Sequence, residues 1–265
     1  DLISCISVPT MEATDALMKH QDVSLILATG GSAMVRAAYS SGTPALGVGP
    51  GNVPAFIEKT ADIKMAVSRI IAGKIFDNGV ICASEQAVVV EREIYKEVKK
   101  EFINQGCYFV NEEEKLKMEK IIDTPYGSLN AKIVGKTASQ LADMAKIEVP
   151  EDTKIIIAEE TGVGKGYPFS REKLSPILAF YVEDDWKKGC DKCIELLDYG
   201  GMGHTLGIHS NDKDIIMEFA LRKPASRIIV NSPTTHGAIG ATTNLAPALT
   251  LGCGAVGGSA TSDNV

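Results

Sequence analysis

The apolar positions of the chain repeat with two alternating periods, and the switches between them mark out its elements. Residues 2–8 predict a short strand. Pro9-Thr10 then opens a helix through residue 20, with Ala13, Leu17 and Met18 among its apolar positions. Residues 23–28 are a near-continuous apolar run, the kind of strand that a parallel sheet buries on both faces. Thr29-Gly30-Gly31-Ser32 follows at once, then a helix over 33–40, the break Gly42-Thr43-Pro44 and a short strand near 45–47. Strand, helix, strand, glycine turn, helix and strand predict part of a doubly wound α/β domain.

Gly47-Val48-Gly49-Pro50-Gly51-Asn52-Val53-Pro54 reads as a Gly/Pro-rich hinge where the chain leaves that domain. The expected division is therefore 1–52 and 53–265. Beyond the hinge, residues 62–75 put Ile63, Ala66, Val67, Ile70 and Ile71 on one stripe of an amphipathic helix. A buried strand is predicted at 86–90 and a charged helix at 91–105, whose Glu/Lys run is a solvated face. Asn111 begins a helix with acidic residues in its first turn, which suits the helix dipole. Helices at 137–145, 184–199 and 211–222 alternate with strands at 154–158, 177–182 and 226–230, so the second domain is also α/β.

The 265 residues suffice for two modest domains or one large one. With 45% hydrophobic and 23% charged residues the composition is ordinary for a globular protein. A net charge of −7 and a pI near 5.2 argue against the basic face a nucleic-acid partner needs and against attraction to anionic membranes. No apolar run is long enough to span a bilayer, and no signal-peptide pattern is present. Cysteines at 5, 82, 107, 190, 193 and 253 form no compact disulfide framework, which suits reduced thiols in a cytoplasmic protein.

Cys82 is the first candidate for chemistry. In Phe76-Asp77-Asn78-Gly79-Val80-Ile81-Cys82-Ala83-Ser84-Glu85-Gln86 it follows a glycine turn, between an amphipathic helix and an apolar strand. A thiol there can face a cleft and act as a nucleophile; the residues alone also allow a buried structural cysteine. The turn Thr29-Gly30-Gly31-Ser32, at a strand end and helix start, suits an anion or a nicotinamide cofactor, or is a plain tight turn. Thr161-Gly162-Val163-Gly164-Lys165-Gly166 is a loop and not a phosphate loop, because the GxxxxGK[ST] spacing is missing. Cys190-Asp191-Lys192-Cys193 lies inside a helix with Trp186, Ile194 and Leu197 and has no second pair nearby, so no metal site is expected.

The segment 76–86 resembles the nucleophile segment of CoA-acylating aldehyde dehydrogenases, in particular the aldehyde dehydrogenase half of bifunctional aldehyde-alcohol dehydrogenases and their stand-alone relatives. Gly47 to Pro54, Arg171-Glu172-Lys173-Leu174-Ser175-Pro176, Gly200-Gly201-Met202-Gly203-His204-Thr205, Gly237-Ala238-Ile239-Gly240 and Leu249-Thr250-Leu251-Gly252-Cys253-Gly254 are similar to further segments of that family, in the same order. The resemblance covers nearly the whole chain. It implies an aldehyde dehydrogenase-like fold: the later part of a cofactor-binding domain, then a catalytic domain whose last stretch returns towards the cofactor cleft. It implies Cys82 as nucleophile, His204 as the group that takes a proton from Cys82 or from CoA, and Glu172 as the carboxylate that orients the nicotinamide ribose. Thr29, Gly30, Gly31, Ser32 and Gly49 would border the cofactor. Val48 falls where hydrolytic members carry a water-activating glutamate, and an apolar residue cannot act as that base. His209 and His236 have weaker claims. The implied activity is NAD- or NADP-dependent interconversion of a small aldehyde and its acyl-CoA in a homo-oligomer, with the present sequence a part of a longer chain.

Overall fold

The computed structural model describes residues 3–222 and 224–247, and its strands fall into two sheets, both parallel. In chain order the elements are α1 (Met11–Met18), β1 (Ile26–Thr29), α2 (Ser32–Tyr39), β2 (Ala45–Val48), β3 (Val53–Ile57), α3 (Ile63–Ile75), β4 (Glu85–Glu91), α4 (Tyr95–Asn104), β5 (Cys107–Phe109), α5 (Glu112–Ile122), α6 (Ala138–Ala145), β6 (Ile155–Glu159), β7 (Ile177–Glu183), α7 (Trp186–Gly200), β8 (Gly203–His209), α8 (Lys213–Leu221), β9 (Ala225–Val230) and α9 (Thr234–Ala238). β1 pairs with β2 alone. The other seven strands run β5-β6-β7-β4-β3-β8-β9 across the larger sheet.

Period-two alternation in the central strands builds a core on each face of that sheet. Ala87 and Val89 of β4 join Phe56, Tyr181, Leu206 and Ile208 in a cluster closed by residues of α5, α6 and α7, among them Met118, Leu141 and Leu197. Val88 and Val90 join Ala55, Ile57, Leu178 and Phe180 in a cluster closed by α3 and α4 through Val67, Ile70, Val98 and Phe102. The helices start where side chains satisfy their free N–H groups. Asp62 caps α3 through Met65 N, and Asn111 and Thr137 form capping boxes on α5 and α6.

Four details differ from the sequence expectation. Residues 3–8 form no strand. The run at 23–28 is a strand only from Ile26, and it is not buried on both faces: Leu25 and Leu27 are 52% and 54% exposed. β1 has one strand neighbour, and its packing against Met18 and Ala38 is centred on Ala28. β3 went unrecognised because Pro54 sits inside it, and proline cannot donate to a ladder. The register shift between Val53 and Pro54 accommodates it in a central position. Finally, Glu91 completes β4, so the helix expected from 91 starts at Tyr95.

Phe180 gathers Tyr95, Phe102 and Phe109 around itself at ring-centroid distances of 6.1, 6.1 and 5.4 Å. Phe180→Ala is expected to cost about 3–5 kcal/mol, read as a lower urea midpoint at unchanged slope.

Candidate active site

β3, β4 and β7 are neighbours in one parallel sheet, so the segments that lead into them meet at its amino-terminal edge. Those segments carry Gly49 to Asn52, Val80 to Ser84 and Arg171 to Ser175. The turn between β1 and α2 faces them across a cleft of about 660 Å³. Thr29, Gly30, Gly31, Ser32, Gly49, Cys82 and Glu172 all line this cleft. The sequence reading had not singled out Arg171, Leu174, Leu129 and Tyr199, which line it too.

Cys82 arrives there on a turn with three successive left-handed residues: Asp77 (φ 49°), Asn78 (φ 49°) and Gly79 (φ 73°). Asp and Asn tolerate that region better than other side chains. Gly79 is required sterically, since a Cβ would stand 2.9 Å from the Ser175 carbonyl oxygen. Asn78 Nδ2 donates to the Gly135 carbonyl at 3.2 Å and anchors the turn. The half-buried Cys82 thiol is pushed up to about 11, by burial first and by the Glu172 charge second. The N–H groups of Cys82 and Ala83 act in the opposite direction, so two donors face the sulfur. At neutral pH the resting group is the thiol.

Gly51 joins three parts of the site. Its N–H donates to Glu172 Oε1 at 2.8 Å. A Cβ on it would lie 2.2 Å from the Cys82 carbonyl oxygen and 3.3 Å from His204 Cδ2. Glu172 is half-buried, and burial lifts its pKa to about 7. His204 is the second residue of β8, fully buried, and is not among the cleft-lining residues. Its Nδ1 is 2.9 Å from Thr205 Oγ1, its Nε2 has no hydrogen-bond partner among the described residues, and burial lowers its pKa to about 3. It stands behind Gly51, close to the Cys82 backbone. His209 occupies the opposite end of β8, and His236 of α9 meets the Phe76 ring edge-on at 5.1 Å. Leu249 to Gly254, with Cys253, lie outside the described residues.

Beneath the cleft lies a buried polar layer with no sequence signature. Lys74 Nζ donates to Gln86 Oε1 at 3.2 Å, and the Lys173 N–H donates to the same oxygen at 3.0 Å. Burial brings Lys74 down and Glu85 up, each to about 7. Glu85 Oε1 accepts from Thr234 N at 2.7 Å, and Thr234 Oγ1 donates to the Ala83 carbonyl at 2.7 Å, which ties α9 to the nucleophile segment.

The cleft fits an extended ligand bearing phosphates. Gly31 caps α2 with no side-chain hydrogen bond, which leaves the first N–H groups of that helix able to meet an anion as far as the described residues go. Gly31 and Gly49 each have open space where a Cβ would be. Among the described residues, no cluster of three or more His, Cys, Asp or Glu could hold a metal ion.

The aldehyde dehydrogenase family profile matches residues 1–167. The chain is 47% identical to the bifunctional aldehyde-alcohol dehydrogenase of Escherichia coli over 270 residues, covering all of this chain and 30% of that protein. It superposes on an acetylating aldehyde dehydrogenase from Geobacillus thermoglucosidasius with a TM-score of 0.96 and 57% identity, over 100% of this chain and 58% of that one. A propionaldehyde dehydrogenase from Rhodopseudomonas palustris, solved with bound CoA and an acylated cysteine, gives 0.86 and 28% over 96% of this chain and 57% of that one. The chain belongs to the aldehyde dehydrogenase family, and it spans between about a third and three fifths of the length of these relatives.

The Glu172 carboxylate disfavours ionisation of Cys82, so Glu172→Gln is expected to speed alkylation of Cys82 by iodoacetamide at pH 8 by roughly threefold or more. An unchanged rate would show that the carboxylate does not act on the thiol.

Proposed function

We propose that the whole protein oxidises a short aldehyde, acetaldehyde or a close homologue, to its acyl-CoA with NAD⁺, and runs the reverse reduction. NADP⁺ is the alternative cofactor. The observation that carries this reading is the single cleft that Cys82, the free N-terminus of α2 and Glu172 share.

In this reading the Cys82 sulfur attacks the aldehyde carbon and forms a thiohemiacetal. The N–H groups of Cys82 and Ala83 stabilise the oxygen as charge builds on it. The nicotinamide cofactor supplies the hydride acceptor. Collapse of the thiohemiacetal leaves an acyl thioester on Cys82, and the CoA thiol displaces it, returning Cys82 as the leaving group. Buried Val48 replaces the water-activating glutamate of hydrolytic relatives, so the thioester waits for a thiol. One proton is released per turnover, and His204 is assigned to take it. Burial keeps that imidazole neutral at rest, and its low pKa makes it a weak base for this role. Glu172 accepts hydrogen bonds from the ribose hydroxyls. Residues 1–52 belong to the cofactor-binding domain and 53–265 to the catalytic domain of a cytoplasmic homo-oligomer.

Two measurements on the full protein test this. Incubation with acetyl-CoA is expected to add one acetyl group by intact mass, and Cys82→Ser should abolish the adduct; an adduct that survives would place the acyl group elsewhere. An ionised carboxylate accepts from hydroxyls more strongly, and on both oxygens, than its protonated form, and burial raises Glu172 to about 7. NAD⁺ affinity should therefore be full above that pH, fall as pH drops through it, and lose this dependence in Glu172→Gln.

A further inference from the structure

Lys173 is a fully buried lysine next to the cleft carboxylate, and the mechanism above does not use it. Its Nζ lies 2.6 Å from the Phe169 carbonyl oxygen, 2.6 Å from that of Arg171 and 3.0 Å from that of Gln86. Burial, with the charges of Lys74 and Arg171, presses its pKa down. A neutral amine, however, has only two hydrogens for three carbonyl oxygens, and the ammonium ion has three. Lys173 is bound to Gln86 twice, by this ammonium and by its own N–H to Gln86 Oε1 at 3.0 Å. Gln86 belongs to β4, four residues beyond Cys82.

The segment held in this way is strained. Leu174 adopts φ +50°, a left-handed conformation that costs a leucine free energy and persists only where its surroundings enforce it. The enforcement comes from both sides: the Leu174 carbonyl accepts from Gly135 N at 2.9 Å, and the Lys173 carbonyl accepts from Ser175 Oγ at 3.1 Å. Leu174 and Glu172 both line the cleft.

We propose that Lys173 is a positioning residue for the cofactor side of the site: its ammonium ion fastens the 169–173 backbone to the nucleophile strand, holds Leu174 in its left-handed conformation and so presents Glu172 to the nicotinamide ribose. The proposal rests on the reading of Glu172 as the cofactor carboxylate. It separates two functions of one cleft. Cys82 depends on its own turn, whereas cofactor recognition depends on the Lys173 clamp.

The test measures NAD⁺ dissociation constants by titration calorimetry and Cys82 acetylation by acetyl-CoA without NAD⁺, in the full protein. Lys173→Met is expected to weaken NAD⁺ binding at least tenfold while acetylation is slowed by no more than about twofold. Glycine adopts φ +50° without strain. In a Leu174→Gly background the same Lys173→Met change should therefore weaken NAD⁺ less than threefold. NAD⁺ affinity within twofold of wild type in Lys173→Met would overturn the proposal, as would equal losses of both functions. Should Lys173→Met not fold, the comparison within the Leu174→Gly background decides. A double variant that also fails to fold would mean that Lys173 supports the core and not the loop. Wild-type protein that does not bind NAD⁺ would instead refute the reading of Glu172 and the proposed function.

Discussion

The whole site depends on one place where the chain has no room for a side chain. At Gly51 the backbone passes between the Cys82 carbonyl, at 2.2 Å from where a Cβ would be, and the His204 ring. The same residue donates its N–H to Glu172. Three segments far apart in sequence, those before β3, β4 and β7, are thereby set at fixed separations. The residue after Gly51 secures this from below: Asn52 Nδ2 donates to the Ser170 and Leu196 carbonyls at 2.9 and 2.8 Å. The glycine admits the approach, the asparagine holds it, and Cys82 and Glu172 face one cleft as a result.

The polar layer under the cleft sets a second constraint. Lys74, Glu85 and Lys173 are buried and Glu172 is half-buried, and desolvation moves all of them away from their charged forms. Buried charges persist only when paired and hydrogen-bonded. Gln86 supplies much of that pairing, because its side-chain oxygen takes a bond from each lysine residue and its carbonyl takes a third. Removing one partner would leave the others uncompensated, so these residues act as a set.

Much of the fold was legible in the chain. Nearly every element with a clear period was anticipated, because alternation and capping residues are local signals. β3 was hidden by Pro54, whose cost is offset by a register shift that only the sheet reveals. β1 read as doubly buried from its apolar run, yet that run reports only what the strand could bury. At the site, Cys82, Glu172 and the glycine turn were found through motif resemblance. The depth of His204, the support from Lys74 and Lys173 and the strain at Leu174 were not, since a buried lysine looks like a surface lysine in sequence. Carbonyl acceptors carry no residue identity at all.

The orientation of the two sheets explains why the proposed chemistry would sit where it does. In a single parallel sheet, ligands favour the carboxyl ends of the strands. The β1–α2 turn obeys this, as Thr29 ends β1 and the free α2 terminus follows. The larger sheet contributes from its opposite edge, through residues that precede β3, β4 and β7. At its carboxyl edge β3, β4, β6 and β7 end at or beside Glu58, Glu91, Glu159 and Glu183, a row of carboxylates that would repel a developing oxyanion. At its amino edge the backbone N–H groups of Cys82 and Ala83 are turned towards the sulfur instead. A reaction that passes through an oxyanion needs the edge with free donors, and a ligand with phosphates needs the helix terminus. Only the apposition of two sheets, one by each edge, puts both in one cleft.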